Sequence, residues 1–75
     1  MYYIVELQTN DGKGAYIVKT KDDRNEALSA FHSVLAFAAT SEVDYHACAV
    51  LDEQGRYVAR ECFVHIQQPE PEEAE

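Results

Sequence analysis

The sequence predicts an α+β fold: ββαββ, a four-stranded antiparallel sheet of two hairpins with one helix on one face. Two observations at the turns and one between them predict it. Asn10-Asp11-Gly12-Lys13-Gly14 and Asp52-Glu53-Gln54-Gly55 are glycine-bearing turns, each lying between two runs of strand-forming residues. That is the pattern of a β-hairpin. Between the hairpins, apolar residues recur at spacings of three and four, which is the helical period.

Strand one is expected at about Tyr2 to Thr9, with Tyr3, Val5 and Leu7 alternating against Tyr2, Ile4, Glu6 and Gln8. Strand two is expected at about Ala15 to Thr20. Asp23, with Glu26 three residues on, has the pattern of a helix N-cap, and early acids suit the positive end of the helix dipole. The helix then runs from about Arg24 to Ala39. Ala27, Leu28, Phe31, Val34, Leu35 and Ala38 form its apolar stripe, with His32 and Phe37 on the flanks. Strand three follows at about Val43 to Leu51. The second turn fits a type I turn with a bulge at Gly55, where glycine takes a positive φ cheaply. Strand four is expected at about Arg56 to Ile66. Pro69 and Pro71 end regular pairing. The division is therefore a single domain over 1–66 and an acidic, proline-containing, disordered tail over 67–75.

Seventy-five residues allow one domain and a thin core. Six basic and 14 acidic residues leave a net charge of −8. Glu70, Glu72, Glu73 and Glu75 place four of those acids in the tail. The bases are scattered, which disfavours direct binding to nucleic acid, since phosphates need a basic patch. The start, Met1-Tyr2-Tyr3-Ile4-Val5-Glu6, lacks the basic and long apolar regions of a leader. No run approaches the roughly 20 apolar residues of a membrane span. The expected location is cytoplasmic, with both cysteines reduced.

With Asp52 opposite Arg56, an unbroken ladder sets Val50 against Val58, Cys48 against Arg60, and His46 against Cys62. Tyr45, Ala47, Ala49, Leu51, Tyr57, Ala59 and Phe63 then share the other face with Glu61. Both faces are substantially apolar, and one helix covers one of them. The pattern leaves open which face the helix takes. The remainder predicts an interaction surface, for which Tyr45, Tyr57, Phe63, Tyr2 and Ile4 are the candidates, and a homodimer is the simplest way to cover it.

Chemistry-bearing residues are sparse. His46, Cys48 and Cys62 are the candidates for a metal, because imidazole and thiolate are zinc ligands and His-x-Cys points both to one side of a strand. His32, His65 or a second subunit would complete the set. Paired knuckle spacings are absent, and buried cysteine is ordinary core, so no metal and no cofactor is expected. Ser29, Ser33 and Ser41, with the cysteines and histidines, lack a nucleophile elbow or a phosphate-cradling glycine loop. No catalytic residue is assigned. His32, beside the stripe, reads as a partly buried histidine with one hydrogen bond. The acidity admits a second function, an acidic inhibitor that mimics DNA and blocks a nucleic-acid-binding host protein.

Three segments carry a resemblance: Tyr2-Tyr3-Ile4-Val5; Glu26-Ala27-Leu28-Ser29-Ala30-Phe31-His32-Ser33-Val34-Leu35-Ala36; and Ala47-Cys48-Ala49-Val50-Leu51-Asp52-Glu53-Gln54-Gly55 leading to Glu61. Over about residues 2–63 the chain resembles a group of small uncharacterised proteins of bacterial prophages and gut Firmicutes. The resemblance implies context alone: a phage-borne accessory protein acting on a host protein, with no site residue carried over. The reading reached from sequence is a small non-enzymatic protein-interaction protein acting as a homodimer. The alternatives are the acidic inhibitor and a small metal-binding module.

Overall fold

The computed structural model describes residues 1–66, so the tail expected at 67–75 lies outside the described residues. The order is β1 (Tyr2–Asn10), β2 (Lys13–Lys21), α1 (Arg24–Ala38), β3 (Tyr45–Leu51) and β4 (Tyr57–Val64). All four strands form one antiparallel sheet in the order β2-β1-β3-β4. Both hairpins and the helix stand where the turn chemistry and the apolar period predict them. The ββαββ architecture is therefore the fold.

Asp11 and Gly12 make the first turn, both at positive φ (57° and 77°). Two such residues in succession are what a two-residue hairpin loop needs to match the twist of its strands. The helix begins where the Asp23 carboxylate accepts from the Glu26 N–H at 3.0 Å. It crosses from edge strand β2 to central strand β3, lying over β1 and β3. Ala27 and Phe31 meet Ile4, Cys48 and Val50 in the core, with Leu28, Val34 and Leu35 packed around them.

The second hairpin corrects the expected register. The Gly55 N–H bonds the Asp52 carbonyl and the Asp52 N–H bonds the Arg56 carbonyl, both at 3.0 Å, with Gly55 at φ 81°. The turn and its glycine bulge are therefore as predicted. Leu51 pairs with Tyr57, but Val50 pairs with Ala59, so Val58 is an extra residue in the ladder. This second bulge moves every later pair by one: Cys48 faces Glu61, and His46 faces Phe63. Because side chains alternate, one inserted residue exchanges the faces of the rest of β4. The physical reason lies in the core, where both Val58 and Ala59 pack against the buried cluster. An unbroken ladder would turn one of them away.

Strand three starts at Tyr45 rather than Val43, because Asp44 serves as a junction. Its N–H donates to Asn10 Oδ1, its carboxylate accepts from the Asp11 N–H, and its carbonyl accepts from the His65 N–H. One residue thus ties the first turn to the exit of β4.

Candidate interaction surface

The two faces of the sheet differ in what covers them. On the helix side, the cross-strand rows are Lys19, Ile4, Val50 and Ala59; then Ile17, Glu6, Cys48 and Glu61; then Ala15, Gln8, His46 and Phe63. On the other side, the rows are Thr20, Tyr3, Leu51 and Tyr57; Val18, Val5, Ala49 and Arg60; Tyr16, Leu7, Ala47 and Cys62; and Gly14, Thr9, Tyr45 and Val64. The helix takes the face of Cys48 and Val50, which settles what the sequence left open. The opposite face is bare among the described residues.

That bare face holds one charge, Arg60, in a chain that is 27% charged. Arg60 lies over the Tyr57 ring at 5.4 Å, a cation–π contact that keeps its stem flat on the surface. Tyr16 is 74% exposed, and Leu7, Val18, Tyr45, Tyr57 and Val64 are exposed beside it. Four strands at about 4.8 Å and some 25 Å of strand length make a sheet face roughly 20 Å across. A contiguous exposed apolar area on that scale is uncommon on a monomeric protein.

Of the interaction residues expected from sequence, Tyr45 and Tyr57 lie on this face. Tyr2, Ile4 and Phe63 do not: they belong to the helix side. Ile4 is 2% exposed and is core, Tyr2 packs against the core, and Phe63 stacks on the His65 ring at 6.3 Å. Tyr3, Val5 and Tyr16, which the sequence offered as the alternative to Tyr2, Ile4 and Ile17, lie on this face with Leu7 and Val18. The alternation along β1 and β2 was visible in the sequence, but the choice of face was not.

The proposed metal trio does not assemble. The Val58 bulge puts Cys62 on the bare face, through the sheet from His46 and Cys48. No group of three candidate ligands converges among the described residues. Both cysteines are free thiols. Burial, reinforced by the nearby Glu6 carboxylate, pushes the Cys48 thiol up from 9.0 to about 11, whereas Cys62 is exposed. His32 is also corrected: it is exposed, resting edge-on against Phe31 at 5.4 Å.

A partly buried polar network centred on His46, absent from the expectations, lies on the helix side. His46 is 2% exposed. Its Nε2 stands 2.6 Å from Glu6 Oε2 and its Nδ1 2.9 Å from Ser41 Oγ. A carboxylate only accepts, so Nε2 carries a proton toward Glu6. Gln8 Nε2 donates to the same Glu6 oxygen at 2.9 Å. The contacts run in the order serine, histidine, acid, at the C-terminal end of a helix. Ser41 follows the C-terminal end of α1, and its N–H is spent on the Ala38 carbonyl at 3.2 Å. Helix C-termini present carbonyls, which oppose the negative charge that acyl transfer develops. His65 closes the same helix end, its Nε2 lying 2.8 Å from the Ala38 carbonyl.

No protein family, no curated protein and no solved structure matches this chain. No helix among the described residues is long and apolar enough to cross a membrane.

Proposed function

We propose that this is a non-enzymatic protein-interaction protein whose bare sheet face pairs with the same face of a second copy. The carrying observation is the face itself: twelve apolar or aromatic positions around a single charge, with no element of the described chain over it. Self-pairing is favoured over edge addition because both edges are guarded. Edge strand β2 carries Lys13, Lys19 and Lys21, and edge strand β4 carries Arg60, Glu61 and the Val58 bulge. Such devices discourage strand-to-strand growth. Two bare faces packed about 10 Å apart would interdigitate their side chains as in a β-sandwich.

The acidic-inhibitor reading is less favoured by the placement of the carboxylates. Glu6 is held by His46 and Gln8, Asp23 caps the helix, Asp44 binds the first turn and Asp52 binds the second. These acids are spent on the fold rather than set in a row. A phage-borne accessory role on a host protein fits a dimer that leaves its helices outward.

The test is a pair of charge insertions, Leu7→Glu and Tyr16→Glu, at neighbouring exposed positions on the face. Both should yield folded monomers from a wild-type dimer. Retention of the dimer by both would sink the reading.

A further inference from the structure

Edge strand β2 runs nine residues, Lys13–Lys21, pairs with β1 without a bulge, and is exposed along its whole length. The helix lies over β1 and β3 and leaves β2 uncovered. A groove of about 470 Å³ therefore follows the helix side of this edge. Ala30, Val34 and Phe37 are the apolar members of its helical wall, and Lys19, Lys21 and Glu6 line it on the sheet. Ile17 follows Lys21 and Lys19 on the same side of β2 and is 47% exposed; Phe37 is 74% exposed. Because α1 starts just after Lys21 and runs back along β2, Val34 and Phe37 lie toward the Ile17 end. Neither lysine forms an ion pair among the described residues, whereas Glu6 Oε2 is taken by His46 and Gln8.

We infer that β2 takes up an extended acidic segment of another protein as a fifth strand. The added strand runs antiparallel to β2, with carboxylates opposite Lys19 and Lys21 and an apolar side chain opposite Ile17, under Val34 and Phe37. The backbone supplies the first part. Alternate residues of an edge strand direct N–H and C=O away from the sheet, and among the described residues no bond outside the ladder uses those of β2. An added strand satisfies them, and antiparallel addition is the more stable kind. Charge selects the partner. Lysines on an edge deter a second β2, because like charges set opposite one another repel. The same ammonium groups attract a strand that carries acids at alternate positions. Side-chain alternation then sends those acids and the apolar residue to the helix side, into the groove. The other edge, β4, is broken by the Val58 bulge and carries Glu61 on its helix side, which repels an acidic strand. The site is an edge and a groove away from the bare face, so it stands apart from the pairing of two copies.

The test is NMR titration of the isotope-labelled full chain with the end-blocked peptide Thr-Glu-Thr-Glu-Thr-Leu-Thr. Amide shifts should concentrate in β2 and in residues 30–37. N-methylating alternate peptide amides in one phase should abolish binding, and in the other phase should leave it, because only one set of N–H groups faces β2. Lys19→Glu with Lys21→Glu should weaken binding about tenfold, and a peptide with lysines in place of its glutamates should restore it. No shifts at millimolar peptide, or shifts centred on β4 or on the bare face, would overturn the inference. So would equal effects of the two N-methyl phases, or an unchanged affinity in the doubly substituted chain.

Discussion

His46 and Glu6 touch diagonally, not directly, across the two central strands. The ladder pairs His46 with Gln8 and Glu6 with Cys48, yet the imidazole Nε2 lies 2.6 Å from the Glu6 carboxylate. Diagonal neighbours are within reach of long side chains on one face of a sheet. With Ser41 on the other ring nitrogen, His46 joins β1, β3 and the exit of α1 in one buried network.

Removing its acceptor should therefore be costly. Glu6→Ala leaves the buried Nε2–H and the Gln8 amide without their partner. The loss expected is about 1–3 kcal/mol, the usual cost of stranding a buried donor. Glu6→Gln keeps an acceptor oxygen and should lose less. Urea unfolding of both variants, read by circular dichroism, checks the order. Equal stability of Glu6→Ala and wild type would show that the network is ornamental.

The two thiols should behave as opposites. Cys62 lies on the bare face and reacts with a thiol reagent once that face is open, as in the monomeric Leu7→Glu variant, whereas Cys48, buried under the helix, does not react until the chain unfolds. The same burial makes a pH statement. Unfolding returns the Cys48 thiol from about 11 to 9.0. Between those values the unfolded chain releases the proton and the folded one keeps it. This group's contribution to stability is thus intact below pH 9 and declines as pH rises toward 11. A thiol count of one in the folded Leu7→Glu monomer, rising to two in denaturant, is the expected result.

The second turn gives a third prediction. Gly55 has φ 81°, and an added Cβ there would meet nothing within 4 Å. Gly55→Ala therefore costs backbone strain alone, about 1–2 kcal/mol. Asp52 acts in the same turn. Its carboxylate accepts from the Arg56 and Gln54 N–H groups, at 3.0 and 2.8 Å, and these bonds hold it below the usual carboxylate value, the Arg56 bond most. Its contribution is present above that ordinary value and lost as pH falls through the lowered one. Thermal melts of wild type and Asp52→Asn should converge as pH drops through that range. A constant gap would contradict this assignment.

Much of the fold was legible from residue order. The helix stripe from Ala27 to Ala38, the Asp23 cap and both turns rest on local periodicity and turn chemistry, which a single sequence displays. The β4 register was not legible. Val58 is an extra residue because two consecutive side chains, Val58 and Ala59, both pack inward, and that choice is made by the core rather than by the turn. The choice of sheet face was equally hidden, since Tyr3, Val5 and Leu7 are as apolar as Tyr2 and Ile4. The His46 network escaped because its members come from positions 6, 8, 41 and 46, which no local pattern connects.

Pairing of two bare faces doubles the particle, and solution mass reads that doubling. Light scattering across a dilution series, at low and high salt, should show twice the chain mass of 8.5 kDa. The dimer should persist at high salt, because apolar contact is not screened. A monomer at every concentration would contradict the account and leave the face of Leu7 and Tyr16 without a second copy to cover it.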